Sequence, residues 1–296
     1  MLYQALLSFM NNPPLVSIIM NCYNGERYLR KAIDSIYSQT YKNWELIFWD
    51  NNSTDNSAAI ARSYSEEKLR YFRSEETVVL GKARAYATKK AKGKYVAFLD
   101  VDDTWTRDKL EKQLQIFSKK NDIGLVYGRT KVTFKGKHNK DFVMYKGSSL
   151  PEGDVFSELA VENFIVFSSA MVDREKFNKC GGFPPSFLNS LDYWIFMHMA
   201  KIYKFGAVQE VCCEYLVHQD NLSFKQNVIS AKEAITVLNE FPLDQGMVIA
   251  IEKQYSNLAI MHLKDYELFS FIKVMVKNKC FIMTVKRLAL KVKNIF

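Results

Sequence analysis

The sequence predicts an α/β fold with a mostly parallel central sheet, followed by a C-terminal helical region. Strand-like apolar runs alternate with segments of helical periodicity, and several of these runs end in polar residues. After about residue 227 the pattern is almost entirely helical. With 296 residues, 48% of them hydrophobic, the chain is long enough to bury a substantial core. Alternating strands and helices imply right-handed crossovers, so we expect a nucleotide-binding type of α/β domain.

The predicted elements follow one another regularly from residue 14 onward. The first apolar run is rich in β-branched residues and follows two prolines, which is typical of a buried strand. Strands are predicted at Val16–Met20, Glu45–Trp49, Leu69–Phe72, Tyr95–Leu99, Ile123–Tyr127, Ser168–Val172 and Val211–Val217. Helices are predicted at Leu29–Ile36, Ser57–Tyr64, Gly81–Lys92, Thr106–Lys119 and Asp192–Lys201. We divide the chain into a leader at 1–13, a main domain at 14–226 and a helical region at 227–296.

Three carboxylates follow the predicted strand Tyr95–Leu99, namely those of Asp100, Asp102 and Asp103. Crowded carboxylates raise one another's pKa values, so a site that keeps them ionised usually holds a divalent cation such as Mg²⁺ or Mn²⁺. Ligands of open parallel sheets bind beyond the carboxyl ends of the strands, where these acids fall. The alternative is a helix cap at Asp103 or Thr104, for which a single residue is enough. The surplus of acids favours a metal site.

The cysteines and the N-terminal segment indicate the cellular compartment in which the protein is expected. The five cysteines form no CxxC pair and show no metal-ligand spacing, which favours free thiols in a reducing compartment. We therefore expect no zinc site and a cytoplasmic location. Residues 1–10 lack the basic region, the long apolar core and the cleavage site of a secretory signal, so none is expected. No stretch reaches membrane-spanning length without a charge.

The net charge of +9 is concentrated near the C-terminus, where residues 268–296 contain seven Lys or Arg and no acid. Apolar residues interleave with these bases, which is the composition of a helix that lies on an anionic membrane surface. A basic helix that packs on the domain, or that mediates a dimer, has the same pattern. We expect peripheral membrane binding, with these two alternatives open, and we expect no nucleic-acid partner because the charge is localised in this way.

Four segments carry a resemblance to a known family. They are PLVSIIMNCYN at 14–24, AIDSIYSQTY at 32–41, DNNSTDNS at 50–57 and GKYVAFLDVDD at 93–103. In this order and approximate spacing they resemble a bacterial-type family 2 glycosyltransferase with the GT-A fold, which is inverting and metal-dependent. The resemblance covers roughly residues 14–220 and leaves the C-terminal quarter unexplained.

The resemblance implies a nucleotide pocket that contains Asn21, Tyr23, Asp50 and Asn51. Tyr23 would stack on the base, although ordinary packing beneath the loop is the alternative. Many relatives have an Asp in place of Asn51, where an acid accepts the uracil imide hydrogen. The carbonyl oxygen of Asn51 can also accept it, so we expect UDP, with dTDP and GDP as the alternatives. Arg84 lies in Ala-Arg-Ala-Tyr, where relatives show Ala-Arg-Asn-x-Gly, and would bind the nucleotide, orient an acid or lie solvated on the surface.

The acid cluster matches the metal motif of the family. The resemblance implies that Asp102 and Asp103 contact ribose and metal, with Asp100 in support. His218 resembles a late family segment whose His approaches the diphosphate or the metal, and a satisfied structural His is the alternative. Asp102, Asp103 and His218 are therefore the expected ligands of an Mn²⁺ or Mg²⁺ cofactor.

Direct displacement at the anomeric carbon requires a carboxylate that takes the proton of the acceptor hydroxyl. Asp192 is the candidate base, since relatives place an acidic pair here; Leu191 replaces the first member, and a helix cap is the alternative. The predicted activity is transfer of a sugar from a nucleotide-diphosphate donor to a hydroxyl of a glycan or lipid-linked acceptor in surface polysaccharide synthesis. The alternatives are a nucleotidyltransferase that acts on sugar phosphates and a non-catalytic nucleotide-sugar binder at a membrane.

Overall fold

The computed structural model describes residues 12–136, 140–222 and 226–264, together with positions 270, 274, 275 and 278. Nearly all of the predicted leader and of the predicted basic tail lies outside the described residues. Within them, no helix is long and apolar enough to cross a membrane.

Nine strands are described, and two are much longer than the sequence predicts. They are β1 (Val16–Cys22), β2 (Trp44–Asp50), β3 (Leu69–Arg73), β4 (Tyr95–Phe98), β5 (Thr104–Trp105), β6 (Ile123–Phe134), β7 (Phe142–Val143), β8 (Met171–Asp173) and β9 (Lys204–Val217). The strand β6 continues past Tyr127 and β9 begins before Val211, because the two pair in parallel from Ile123 to Phe134. This pairing provides hydrogen-bond partners for the backbone of the polar residues in the extended parts of the two strands. A prediction from apolar periodicity alone does not assign these residues to strands.

The predicted helices occur in the predicted order, and two short helices, at Phe156–Val161 and Arg174–Lys179, are not predicted from the sequence. They are α1 (Glu26–Tyr37), α2 (Ser57–Arg62), α3 (Leu80–Thr88), α4 (Lys109–Lys119), α5 (Phe156–Val161), α6 (Arg174–Lys179), α7 (Leu191–Ala200), α8 (Asn227–Leu238) and α9 (Gln245–Lys264). Helix α1 buries Leu29, Ala32, Ile33 and Ile36, the residues whose spacing predicts it. Helix α4 begins at Lys109 rather than Thr106, since Thr104–Trp105 pair with β9 as a short strand.

The sheet order is β3-β2-β1-β4-β8-β6-β9-β5, with β7 beside β6. Strands β3, β2, β1 and β4 are mutually parallel, and β6 is parallel to β9. Strand β8 runs antiparallel to both of its neighbours. The α/β class with a mostly parallel sheet is therefore confirmed. The loops that follow β1, β2 and β4 meet at one edge of the sheet because these strands are parallel.

Two glycines allow close backbone approach. A β-carbon on Gly93 would lie 2.6 Å from the backbone oxygen of Leu15 and from the nitrogen of Ser17. A β-carbon on Gly128 would lie 2.1 Å from the sulfur of Cys212. Gly93 therefore lets the chain enter β4 directly beside β1, and Gly128 lets β6 pass close to β9.

The described chain forms two compact units that interleave in sequence, whereas the sequence predicts a main domain at 14–226 and a helical region at 227–296 with one boundary between them. The first unit contains residues 12–155, 165–186 and 198–218, and it holds the sheet. The second unit contains residues 156–164 and 187–197 in addition to the described residues after 218. Two short segments before the predicted boundary thus pack with the C-terminal helices.

Candidate active site

In the first unit, the loops that follow β1 and β2 are joined by reciprocal hydrogen bonds. The backbone nitrogen of Asn24 donates to Ser53 Oγ at 3.0 Å, and that of Gly25 donates to Ser57 Oγ at 2.9 Å. In return, Asn24 Oδ1 accepts from the backbone nitrogen of Thr54 at 2.9 Å. Asn24 has a positive φ of 52°, which Asn tolerates better than most residues. The motif at 50–57 therefore holds the two loops together, in addition to forming a turn and a helix start.

Asp50 lies at the base of these loops and is fully buried. Its Oδ1 accepts from the backbone nitrogen of Ser53 at 2.7 Å, and its Oδ2 accepts from the hydroxyl of Tyr71 at 2.5 Å. Burial, and then the negative charge of Asp50, raise the pKa of Tyr71 to about 12, so this hydroxyl remains a donor. Both oxygens of Asp50 are engaged by the protein, and its contact with a nucleotide remains a prediction.

Asn51 is held by the backbone of Val78. Its Nδ2 donates to the Val78 carbonyl at 2.8 Å, and its Oδ1 accepts from the Val78 nitrogen at 3.1 Å. The side chain is fixed by two hydrogen bonds and is 8% exposed. One lone pair of Oδ1 remains for a ligand in this arrangement.

Asn21 contributes a buried donor that has no acceptor among the described residues. Its Nδ2 and the Nε1 of Trp49 both lack a hydrogen-bond partner. The two residues are register partners on β1 and β2, so their side chains lie on the same face of the sheet. Unpaired buried donors are rare, and this pair marks a place where a water or a ligand oxygen would be bound. Tyr23, two residues after Asn21, is 55% exposed and available for stacking.

Arg84 orients the first acid of the cluster. Its Nη2 donates to Asp100 Oδ1 at 2.6 Å, and its guanidinium lies 3.7 Å from the ring centroid of Phe167. The arginine side chain is 7% exposed and that of Asp100 is 35% exposed. Of the roles open to Arg84 in the sequence, the contact with an acid is present in this geometry, and a contact with the nucleotide remains a prediction.

Asp102 and His218 form the next pair. His218 Nε2 lies 2.9 Å from Asp102 Oδ2, and the imidazole packs against the ring of Tyr28 with centroids 4.7 Å apart. The strand β9 brings His218 to the acids, since it ends at Val217, one residue earlier. His218 therefore lies beside the acidic motif, and its role as a metal ligand remains a prediction.

Asp103 differs from its neighbours because it is 1% exposed. Its Oδ2 accepts from Ser168 Oγ at 2.5 Å, and its Oδ1 accepts from the backbone nitrogen of Leu216 at 3.0 Å. Ser168 Oγ also accepts a hydrogen bond from the backbone nitrogen of Asp100 at 3.1 Å. Asp103 thus ties the acid-bearing loop to β9, and both of its oxygens are already bonded within the protein.

The negative charges of Asp100, Asp102 and Asp103 favour the binding of a cation among them. Burial raises the pKa of Asp102, the charge of Asp100 raises it further, and the hydrogen bond from His218 opposes the change. Burial also raises the pKa of Asp103 well above its usual range, as do the charges of Asp102 and Asp100. A divalent cation at Asp102 would remove this cost, and oxygen and imidazole ligands suit Mn²⁺. The donor set therefore fits the predicted metal.

A metal at this position would depend on further ligands. Among the residues that the structure describes, no group of three or more His, Cys, Asp or Glu side chains is arranged to hold a metal by itself. Two protein ligands with several open positions are typical of Mg²⁺ and Mn²⁺ sites that are completed by phosphates or water.

Asp192 is the second residue of α7 and lies in the second unit, where the preceding loop is held by Glu233 of α8. The Glu233 carboxylate accepts hydrogen bonds from three backbone nitrogens, those of Leu188 at 2.6 Å, Asn189 at 3.0 Å and Ser190 at 2.7 Å. Backbone donors just before a helix are satisfied here by a side chain from another helix. Glu233 therefore fixes the start of the helix that carries the candidate base.

Three residues that support the candidate site were not predicted from the sequence. Ser168 bridges the acid-bearing loop, Tyr28 packs on His218, and Glu233 holds the loop before Asp192. Each is separated by at least forty residues from the group that it contacts. A single Ser, Tyr or Glu on an otherwise ordinary strand or helix gives no local signal for such a contact.

Comparison with known proteins places the chain among sugar-transferring enzymes. The model of glycosyl transferase family 2 matches residues 17–181. A UDP-Glc:alpha-D-GlcNAc-diphosphoundecaprenol beta-1,3-glucosyltransferase, WfgD of Escherichia coli, is 31% identical over 211 residues, which cover 71% of this chain and 79% of that protein. A putative teichuronic acid biosynthesis glycosyltransferase, TuaG of Bacillus subtilis, is 32% identical over 168 residues, or 56% of this chain and 65% of that protein.

Solved structures share the fold at low sequence identity. S. aureus TarS 1-349 in complex with UDP-GlcNAc superposes with a TM-score of 0.60 at 16% identity, over 88% of this chain and 72% of that one. The mannosyltransferase PcManGT from Pyrobaculum calidifontis, in complex with GDP-Man and Mn²⁺, gives a TM-score of 0.61 at 16% identity, over 100% and 93% of the two chains. The predicted GT-A fold is confirmed by these neighbours.

Proposed function

Since the chain belongs to glycosyl transferase family 2, we propose that it is an inverting, metal-dependent enzyme that transfers a sugar from a UDP-sugar to a hydroxyl of a glycan or lipid-linked acceptor. The family makes it a glycosyltransferase; the donor, the acceptor, the stereochemistry and the metal are the proposal. Surface polysaccharide synthesis is the proposed process, because WfgD and TuaG are named for sugar transfer to a lipid diphosphate and for teichuronic acid synthesis.

The observation that carries the proposal is the pair of Asp102 and His218 at 2.9 Å, beside an Asp100 that Arg84 orients. We assign Asp102 and His218 to the metal and Asp100 to the ribose or the metal. Asp103, predicted as a ligand, acts in this proposal as the buried support of the loop, since its two oxygens accept from Ser168 and Leu216.

The divalent cation, when bound, would neutralise the charge that builds on the leaving nucleotide diphosphate. Asn21, Tyr23, Asp50 and Asn51 surround the base in this proposal. The unpaired Nδ2 of Asn21 supports it, because a base oxygen would satisfy that donor. The free lone pair of Asn51 Oδ1 remains for the imide hydrogen of uracil.

Asp192 is the proposed general base. Its carboxylate takes the proton of the acceptor hydroxyl as that oxygen attacks the anomeric carbon, and the nucleotide diphosphate leaves from the opposite face. A single displacement of this kind inverts the configuration at the anomeric carbon.

Isothermal titration of UDP tests the metal assignment. We expect binding with Mn²⁺ to be at least tenfold tighter than binding in EDTA, since a cation held by Asp102 would add its attraction for the diphosphate. Asp102→Asn should lose this difference, while Asp122→Asn, which removes an acid whose side chain is 50% exposed, should keep it. Equal affinity with and without chelator would rule out the metal-linked nucleotide site.

Asp192→Asn separates transfer from binding. We expect this variant to bind UDP with Mn²⁺ as tightly as the natural chain and to lose at least a hundredfold in transfer to acceptor, because the base contributes to the chemical step alone. Wild-type turnover in the variant would remove Asp192 from the mechanism. A product in which a nucleotide is joined to a sugar phosphate would instead identify the nucleotidyltransferase alternative.

A further inference from the structure

In the first unit, a short turn lies against the loop that carries the acids. Phe167–Ser169 form one turn of 3₁₀ helix, and each of these residues is at most 8% exposed. The turn comes more than sixty residues after the acids in the chain. None of its three side chains carries a charge, so its influence on the acids comes from hydrogen bonds and packing.

The hydroxyl of Ser168 bonds to both ends of the acid motif. Its Oγ donates to Asp103 Oδ2 at 2.5 Å and accepts from the backbone nitrogen of Asp100 at 3.1 Å. A hydroxyl has one proton, and here that proton is committed to the Asp103 carboxylate. These two contacts fix Asp100 and Asp103 relative to each other, on either side of the proposed metal ligand Asp102.

Phe167, the residue before Ser168, restrains the arginine that contacts Asp100. The Arg84 guanidinium lies 3.7 Å from the ring centroid of Phe167 and donates to Asp100 Oδ1 at 2.6 Å. An aromatic face attracts a cation placed over it, which favours this position of the guanidinium. Asp100 is therefore held at its backbone by Ser168 and at its side chain by an arginine that packs on the same turn.

Two buried side chains hold the turn itself. Trp105 Nε1 donates to the Ser168 carbonyl at 2.7 Å, and Gln113 Nε2 donates to the Ser169 carbonyl at 2.8 Å. Gln113 Nε2 also donates to the carbonyl of Val126 in β6 at 2.8 Å. Trp105 is 5% exposed and Gln113 is fully buried. Hydrogen bonds in such a buried network fix the turn against both α4 and β6.

A fixed loop matters here because the acids repel one another. Asp100, Asp102 and Asp103 carry like charges within four residues, and a loose loop would let them move apart. A loop that is held before the cation arrives keeps the carboxylates where the cation needs them. Loss of a group that orients metal ligands typically lowers metal affinity by about 10–100-fold.

We infer that Ser168 is a positioning residue for the divalent cation, and that Trp105 and Gln113 act through it by fixing its turn. The inference rests on the proposed function, because it takes Asp102 as a ligand of that cation. Affinity for the cation is then set in part by residues that touch neither the cation nor the nucleotide.

Electron paramagnetic resonance of free Mn²⁺ measures uptake of the metal alone by the full chain. We expect Ser168→Ala to bind Mn²⁺ about tenfold more weakly than the natural chain, since Asp100 and Asp103 lose a shared partner. Its affinity for UDP in EDTA should stay within about twofold, because that binding does not use the cation. Unchanged Mn²⁺ affinity, or an equal loss of UDP affinity in EDTA, would overturn the inference.

Ser17 provides a chemically matched control. It is also fully buried, and its Oγ donates to Glu45 Oε1 at 2.6 Å and accepts from the backbone nitrogen of Gly93 at 2.8 Å. Ser17→Ala thus removes the same kinds of hydrogen bond near the start of β1, away from the acids. We expect this variant to keep the natural Mn²⁺ affinity even if its urea midpoint falls. A comparable loss of Mn²⁺ affinity in Ser17→Ala would refute a specific role for Ser168.

Trp105→Phe keeps the inference testable if Ser168→Ala does not fold. The phenyl ring retains most of the apolar contact of the indole, and the donor to the Ser168 carbonyl is lost. We expect Mn²⁺ affinity to fall about threefold or more, with circular dichroism and UDP affinity in EDTA unchanged. Natural Mn²⁺ affinity in this variant would contradict the inference.

The positioning role and the proposed function fail on different results. Mn²⁺ uptake by the natural chain together with equal uptake by Ser168→Ala would sustain the metal-dependent enzyme and discard the positioning role. A natural chain that takes up no Mn²⁺, with or without UDP, would remove the metal from the proposed function and the positioning role with it.

Discussion

Arg84 illustrates how much of one residue's role depends on its surroundings. Its sequence context leaves a nucleotide contact, an acid contact and a solvated surface position open. The structure buries the guanidinium between Asp100 and the ring of Phe167. Because the ring comes from a turn more than eighty residues away, no local pattern around Arg84 encodes this environment.

Lys109 is a second residue whose environment matters, and it gives a prediction for stability. The side chain is fully buried, its Nζ donates to Gln113 Oε1 at 2.7 Å, and it lies 4.1 Å from the ring centroid of Trp105. Burial lowers the pKa of Lys109 from 10.5 to about 8. The cost of burying the charge is thus complete below pH 8 and disappears as the pH rises to the unfolded pKa near 10.5.

We expect Lys109→Met to be more stable than the natural chain at pH 7, by about 1–2 kcal/mol after the lost hydrogen bond to Gln113 is counted. This advantage should shrink between pH 8 and 10.5, because the natural chain gains stability there. Burial raises the pKa of the neighbouring thiol of Cys212 to about 11, so it stays neutral over most of this interval. Urea unfolding at several pH values measures the difference. A pH-independent difference between the two proteins would contradict this explanation.

At the scale of elements, the loop before α7 depends on a contact with α8. Glu233→Ala would leave the backbone nitrogens of residues 188–190 without their acceptor. We expect a loss of about 1–3 kcal/mol in the free energy of unfolding, since unsatisfied backbone donors are costly. Lys232→Ala, which truncates an exposed neighbour on the same helix, should change stability by less than about 0.5 kcal/mol.

Urea denaturation of the two variants measures these effects, and Glu233→Gln refines them. The glutamine retains one acceptor oxygen but turns an NH₂ group towards a backbone donor, so a loss of intermediate size is expected. If Glu233→Ala and Lys232→Ala were equally stable, the carboxylate would have no part in holding the loop.

Element type is predicted well from periodicity, and element length is predicted poorly. The apolar spacing in α1 corresponds to its buried face, whereas β6 runs seven residues beyond Tyr127. In that extension polar residues such as Arg129 and Lys131 alternate with Thr130 and Val132, and β9 supplies their backbone partners. Strand length was thus decided by pairing with a distant segment.

At the scale of the whole molecule, the basic segment at 286–293 gives a prediction on membrane binding. It lies outside the described residues, and its composition predicts attraction to anionic lipid. Four bases would be changed to Gln: Lys286, Arg287, Lys291 and Lys293. We expect flotation with phosphatidylserine vesicles to fall at least tenfold, since each base near the surface contributes about 1 kcal/mol.

The control carries the same loss of charge at exposed lysines of the first unit: Lys89, Lys90, Lys119 and Lys120. This variant should float as the natural chain does. Equal flotation of the natural chain and the tail variant would show that the tail does not anchor the protein and would favour a packing or dimer contact.

The sequence by itself determined the fold class, the family and the acidic loop after β4. Each of these is recognised from short segments of consecutive residues, without knowledge of which distant segments they contact. Apolar periodicity indicates which face of a helix or strand is buried, and clustered acids indicate a site that binds a positive charge. Only the tertiary structure decided that Asp103 is a buried support, that His218 meets Asp102, and that Glu233 holds the segment before Asp192. These contacts join distant parts of the chain, and chain folding rather than local preference brings such groups within hydrogen-bond reach.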